Sequence, residues 1–139
     1  MNRYSILLVS ALLLHVGAAS MARAADEPSA KQVLTSASQE QKYTFIVFHR
    51  DNGPATQAMA QIAKRNLNSR AHQASIVFVD VTNPAEKAIV DRFGVGRAPL
   101  PLTVAVAPNG AITGMFPKNV TDDQIEKAFV TPVMARCMK

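Results

Sequence analysis

The pattern of apolar and polar positions divides the chain into short hydrophobic runs separated by turn and cap residues. Residues 43–48 (YTFIVF) are an unbroken aromatic and β-branched run, the pattern of a strand buried on both faces, which gives way to turn formers at Asp51. Asp51 or Asn52 is placed to cap a helix with its side-chain oxygen. Pro54 follows in the first turn, where a missing N–H costs nothing, and Ala55, Met59, Ile62, Ala63 and Leu67 recur at helical spacing. A second buried strand is expected over residues 75–81 (SIVFVDV). Because a helix connects the two strands, they should lie parallel with a right-handed crossover.

Further along, Asn83-Pro84-Ala85-Glu86 reads as a capping box, with Pro84 at the first helical position and Glu86 at the third. It opens a helix through Ala88, Ile89 and Phe93 that stops at Gly94. Residues 102–107 (LTVAVA), the turn Pro108-Asn109-Gly110 and residues 111–116 predict an antiparallel hairpin. Thr121-Asp122-Asp123-Gln124 is a second capping box, starting a helix over Ile125, Ala128 and Phe129. Upstream, residues 29–41, with Val33 and Leu34 as the main apolar contacts, suit a short amphipathic helix after a leader at 25–28. The order is helix, strand, helix, strand, helix, strand, strand, helix, without internal repeats. In an open α/β sheet, a buried strand feeding a helix that points its N-terminus back at the strand end is a common layout for a ligand or catalytic site.

The junction tetrapeptide Asn52-Gly53-Pro54-Ala55 resembles the Cys-Gly-Pro-Cys of the thioredoxin family, with Gly53 and Pro54 retained and Asn52 and Ala55 at the two cysteine positions. Asp51 stands where that family often has tryptophan. The resemblance covers residues 43–130 and implies an α/β fold with a central mixed four-stranded sheet, βαβ then ββα, flanked by helices. Within it, residues 95–103 (VGRAPLPLT) resemble the loop in which a cis-proline faces the cysteines. The resemblance implies Pro101 in that role by its distance from the hairpin turn, with Pro99 as the alternate by its spacing from Gly94. The binding surface implied by the resemblance comprises Asp51, Asn52, Gly53, Pro54 and Ala55 with Pro99, Leu100 and Pro101. A cysteine at a helix N-terminus is stabilised as thiolate, and a second cysteine one turn on resolves the mixed disulfide. Asn and Ala do neither, so no catalytic residue is assigned.

Composition places the chain in a compartment. Arg3, the apolar stretch 6–16 (ILLVSALLLHV) and Ala22-Arg23-Ala24 have the form of a signal peptide over residues 1–24, with the leader and short helix at 25–42, the main domain at 43–130 and a tail at 131–139. The apolar stretch is too short to span a bilayer, so the expectation is export to a periplasmic or extracellular space with no stable membrane insertion after cleavage. Cleavage after Ala24 removes Arg3 and Arg23. Of 15 Lys and Arg, 13 then stand against 10 Asp and Glu, a net charge of +3. The basic residues are scattered, Lys64, Arg65 and Arg70 forming the one tight group, and the aromatics sit in strands; a solvated face is expected rather than a nucleic-acid surface.

Cys137 is the sole cysteine. In an exported chain it implies a free thiol or an intermolecular disulfide, such as a dimer linked through Cys137; the plain alternative is a partly buried residue beside Val133, Met134 and Met138. His49 and Asp51 bracket the strand end, but a metal needs three or four converging ligands and only the distant His72 and Cys137 add to them. His49 is therefore expected as a surface histidine, with no metal and no cofactor. Neither a phosphate-binding loop nor a serine nucleophile elbow is present. Asn119-Val120-Thr121 is a glycosylation sequon, which marks an exposed turn. Two functions fit these residues. One is a redox-inactive module that binds a protein or extended peptide segment through the loop's main-chain groups, as the resemblance implies. The other is a thiol-disulfide oxidoreductase or peroxide-handling protein using Cys137, for which the neighbouring Arg136 and Lys139 would lower the thiol pKa.

Overall fold

The computed structural model describes residues 28–129. The signal-peptide segment, the tail and Cys137 lie outside these residues. Helix α1 (Ala30–Gln39) opens on a capping box in which Ser29 Oγ accepts the Gln32 N–H at 3.3 Å and Gln32 Oε1 accepts the Ser29 N–H at 2.9 Å. It leads into β1 (Tyr43–His49), α2 (Pro54–Asn68) and β2 (Ala74–Asp80). A 3₁₀ turn at Pro84–Glu86 precedes α3 (Lys87–Phe93), and a second at Val95–Arg97 precedes β3 (Leu102–Val106), β4 (Ile112–Pro117) and α4 (Asp122–Ala128).

The strands form one sheet in the order β2-β1-β3-β4, with β1 parallel to β2 and antiparallel to β3, and β3 antiparallel to β4. Five consecutive residues of β1 are buried because alternate side chains enter two different cores. Ile46 and Phe48 join Val79, Val104 and Val106 against Ala30, Ile89 and Val95, the α1 and α3 side. Phe45 and Val47 join Ala105 against Met59, Ala63, Leu67 and Ile125, the α2 and α4 side. Strand β2 departs from expectation: it is an edge strand and buries only Ala74, Val77 and Val79.

Two expected caps also differ. Gly53, not Asp51 or Asn52, occupies the cap position of α2 and makes no side-chain cap bond, while Asp51 Oδ1 accepts the Gly53 N–H at 2.9 Å. The Asx turn that Asp51 forms is satisfied within the loop, leaving its carboxylate outside the helix. At the 3₁₀ turn Asn83 caps as expected, its Oδ1 accepting the Ala85 N–H, but Glu86 does not reach back. Its Oε1 instead accepts the Ala30 N–H at 3.3 Å and ties α1 to the start of α3. The capping box at Thr121 and Gln124 forms as expected. Gly94 ends α3 at φ 63°, the left-handed region a side chain enters at a cost. Among the described residues no helix is long and apolar enough to cross a membrane.

These environments rank three substitutions. Phe48→Ala empties a site with 0% exposure beside the Phe93 ring and should cost about 3–5 kcal/mol, whereas Thr121→Ala and Gly94→Ala should each cost about 1 kcal/mol. Urea unfolding of the three variants checks the order.

Candidate functional site

The register of the sheet builds the site. Phe48 pairs with Leu102 in the antiparallel ladder of β1 and β3, so Pro101 lies one step beyond the ladder, beside the end of β1. The same end of β1 leads through Arg50 and Asp51 to the N-terminus of α2. Sheet topology thus brings the two sequence-predicted groups, Asp51 to Ala55 and Pro99 to Pro101, to one end of the sheet. The cis peptide bond is at Leu100–Pro101.

Within that end the groups are held firmly at the base and exposed at the top. Pro101 is buried and its carbonyl accepts the Lys118 N–H at 2.8 Å; Pro99 is exposed and Leu100 half-buried. Beneath them the buried Thr103 hydroxyl donates to Met59 Sδ at 3.1 Å, joining β3 to α2. Asn52, Pro54 and Ala55 are exposed, and the Asn52 carbonyl is taken by Gln57 Nε2 at 2.8 Å. No acidic side chain occupies the first turn of α2 and its cap makes no side-chain hydrogen bond, but the Asp51 carboxylate rests on the Gly53 N–H and partly offsets the positive end of this helix. The Leu100 N–H and C=O have no hydrogen bond among the described residues. Peptide groups and proline faces are offered here, and no thiol among the described residues.

His49 corrects its expected surface position. It is half-buried, and its Nδ1 is enclosed without a hydrogen-bond partner among the described residues. The parallel ladder sets it opposite Asp80. The Asp80 carboxyl is held below the usual carboxylate range, first by the Thr82 hydroxyl at 2.7 Å, then by the Thr82 N–H at 2.8 Å, against partial desolvation and with a smaller contribution from His49. The sequence pattern alone did not single out this pair, although the in-register alignment of the two apolar runs would place their C-terminal polar residues side by side. Among the described residues no group of three or more His, Cys, Asp or Glu could hold a metal ion.

No protein-family model and no curated protein matches the sequence. Solved structures do match. A disulphide isomerase from Xylella fastidiosa Temecula1 is 18% identical, with 78% of this chain and 88% of that chain covered at a TM-score of 0.52. Chloroplastic thioredoxin z is 13% identical, covering 70% and 84% at 0.54. The germline-specific thioredoxin Deadhead of Drosophila melanogaster is 16% identical, covering 73% and 85% at 0.51. The fold is thioredoxin-like. In this thioredoxin-like domain the mixed sheet and flanking helices are those expected from the sequence, and the sequence identities are low enough that the likeness concerns the fold alone.

Asp80 gives a direct test of the electrostatics. Because its folded-state pKa is depressed, its contribution to stability is present above the ordinary carboxylate range and is lost as pH falls through the folded-state value. Thr82→Ala removes the larger of the two hydrogen bonds and should move the Asp80 titration midpoint upward, as read from its side-chain carboxyl resonance by NMR, and should flatten the acid limb of the stability profile.

Proposed function

We propose that this thioredoxin-like domain is an exported, redox-inactive binding module, in which Asn52 and Ala55 stand at the positions of a dithiol pair and the surface around them takes an extended segment of a partner. The observation that carries the reading is Leu100, whose N–H and C=O are unpaired among the described residues beside cis-Pro101, at the open end of the sheet. Two such groups on one residue pair with an extended chain as a neighbouring strand would, a mode that requires main-chain polarity and no cysteine. Pro99 and Pro54 add rigid apolar faces on either side, so little conformational entropy is lost when a segment docks. Chloroplastic thioredoxin z has a type-specific target recognition of its own, and recognition without chemistry is what these residues support here.

Titration of the chain beginning at Ala25 with an unstructured polypeptide, reduced and carboxymethylated so that it offers no thiol, should shift the amide resonances of Leu100, Ala55 and Gly53 together. Shifts confined to other parts of the sheet would overturn the reading. The same protein should not reduce insulin disulfides above the uncatalysed rate, and Cys137→Ser should leave that result unchanged; turnover abolished by Cys137→Ser would establish the thiol-enzyme alternative instead.

The placement of Asn52 and Ala55 has its own measurement. In Asn52→Cys/Ala55→Cys made with Cys137→Ser, the thiols should close a disulfide under oxidising glutathione, and the first should titrate below the ~8.5 of a free cysteine. Two thiols that remain free in a folded variant would show that the tetrapeptide is an ordinary turn. Export predicts that protein recovered from its native envelope begins at Ala25 by intact mass.

A further inference from the structure

The two edges of the sheet are built differently. Strand β4 carries Pro117 at its end, Gly114 lies under the Phe116 ring, and its ladder with β3 shifts register between Ala105 and Val106. Each of these features discourages a further strand from pairing. Strand β2 has β1 on one side and no strand on the other among the described residues, and keeps unbroken register from Ala74 to Asp80. Its sequence ASIVFVD holds no Pro, Gly or Lys. The Val81 N–H donates to the His49 carbonyl, so strand alternation turns Val79 and Val77 toward β1 and the peptide groups of Ile76 and Phe78 outward. No hydrogen bond meets those outward groups among the described residues.

A cavity of about 400 Å³ follows this edge, lined by Val33, Ile76 and Phe78 and bounded at one end by His49, Asp80 and Glu86. Asp80 and Glu86 form no ion pair among the described residues, their hydrogen-bond donors being Thr82 and the Ala30 N–H. Lys64 stands over the Phe78 ring at 5.0 Å on the α2 side. The groove therefore joins a bare strand edge, an apolar floor and two carboxylates that form no ion pair among the described residues, His49 adding a small favourable interaction beside Asp80.

We propose that the outer edge of β2 is a docking site for an extended segment of a partner protein, added as a further strand, with apolar side chains in the groove and a Lys or Arg against Asp80 and Glu86. Charge complementarity selects this occupant over the chain's own leader: residues 25–28 (ADEP) are poor strand formers, and Asp26 and Glu27 would set like charges against Asp80 and Glu86. The site is separate from the Leu100 surface and does not depend on it.

The probe is a synthetic peptide of alternating valine and threonine ending in arginine and lysine, with a counterpart ending in two glutamates. On the chain beginning at Ala25, the basic peptide should slow exchange of the Ile76 and Phe78 amide hydrogens by roughly tenfold or more while leaving Leu100 unaffected, and the acidic peptide should not. Asp80→Asn/Glu86→Gln keeps the acceptor atoms for Thr82 and Ala30 but removes both charges, and should weaken binding roughly tenfold. Equal binding of the acidic peptide, unaltered affinity in the folded variant, or no added protection at Ile76 and Phe78 would each overturn the proposal. So would amides at Ile76 and Phe78 already protected in the free protein, through the leader if protection is independent of concentration and through a second copy if it grows with it. The exchange comparison on the unsubstituted chain decides even if the variant does not fold.

Discussion

The double burial of β1 is the constraint from which the other elements take their positions. A strand whose successive side chains are all apolar has no face to give to water, so both sides must be covered, and a strand flanked by two others in the same sheet has no free edge. Phe45 and Val47 hold the α2 and α4 layer while Ile46 and Phe48 hold the α1 and α3 layer. The polypeptide leaves this enclosure at His49, and α2 starts within a few residues because Gly53 and Pro54 turn it back across the sheet. The site is thus the end of the most constrained strand, where Asn52, Pro54 and Ala55 are exposed.

Much of this was legible because the determining signals are local and redundant. Residues 43–48 contain no polar interruption except Thr44, itself buried, and the positive φ of Gly94 marks the end of α3 and that of Gly110 the turn between β3 and β4. What was not legible depended on partners distant in sequence. Glu86 has the residue type and spacing of a capping-box member, but the Ala30 N–H competes for its carboxylate once α1 is packed. Asp51 is a good cap in isolation, yet its side chain reaches the Gly53 N–H first. The apolar run of β2 suits a central strand as well as an edge strand, and only sheet order separates the two. A further local signal lies at the start of α1, where Ser29 and Gln32 have the spacing of a capping box.

At the site, sequence spacing favours Pro101 but keeps Pro99 as an alternate, because each satisfies one flanking landmark. The ladder distinguishes them: with Leu102 paired to Phe48, Pro101 is the residue that continues β3 toward the junction, its carbonyl already engaged by Lys118, and Pro99 falls outside the sheet in solvent. His49 shows the reverse difficulty. Its position at a strand end suggests the surface, whereas in the fold it is half-buried opposite Asp80 with Nδ1 enclosed, a pairing that single-sequence spacing does not reveal.

The pairing of Thr44 with Val106 joins the first strand of the domain to one near its far end. During synthesis, β1, α2 and β2 leave the ribosome well before β3 exists, so β1 passes an interval with a partner on one side only and with Phe45 to Phe48 beside a bare ladder. Until β3 is added, the apolar run from Phe45 to Phe48 in a growing chain keeps one ladder side unpaired, so the last partner to arrive is the one that removes the free edge of β1.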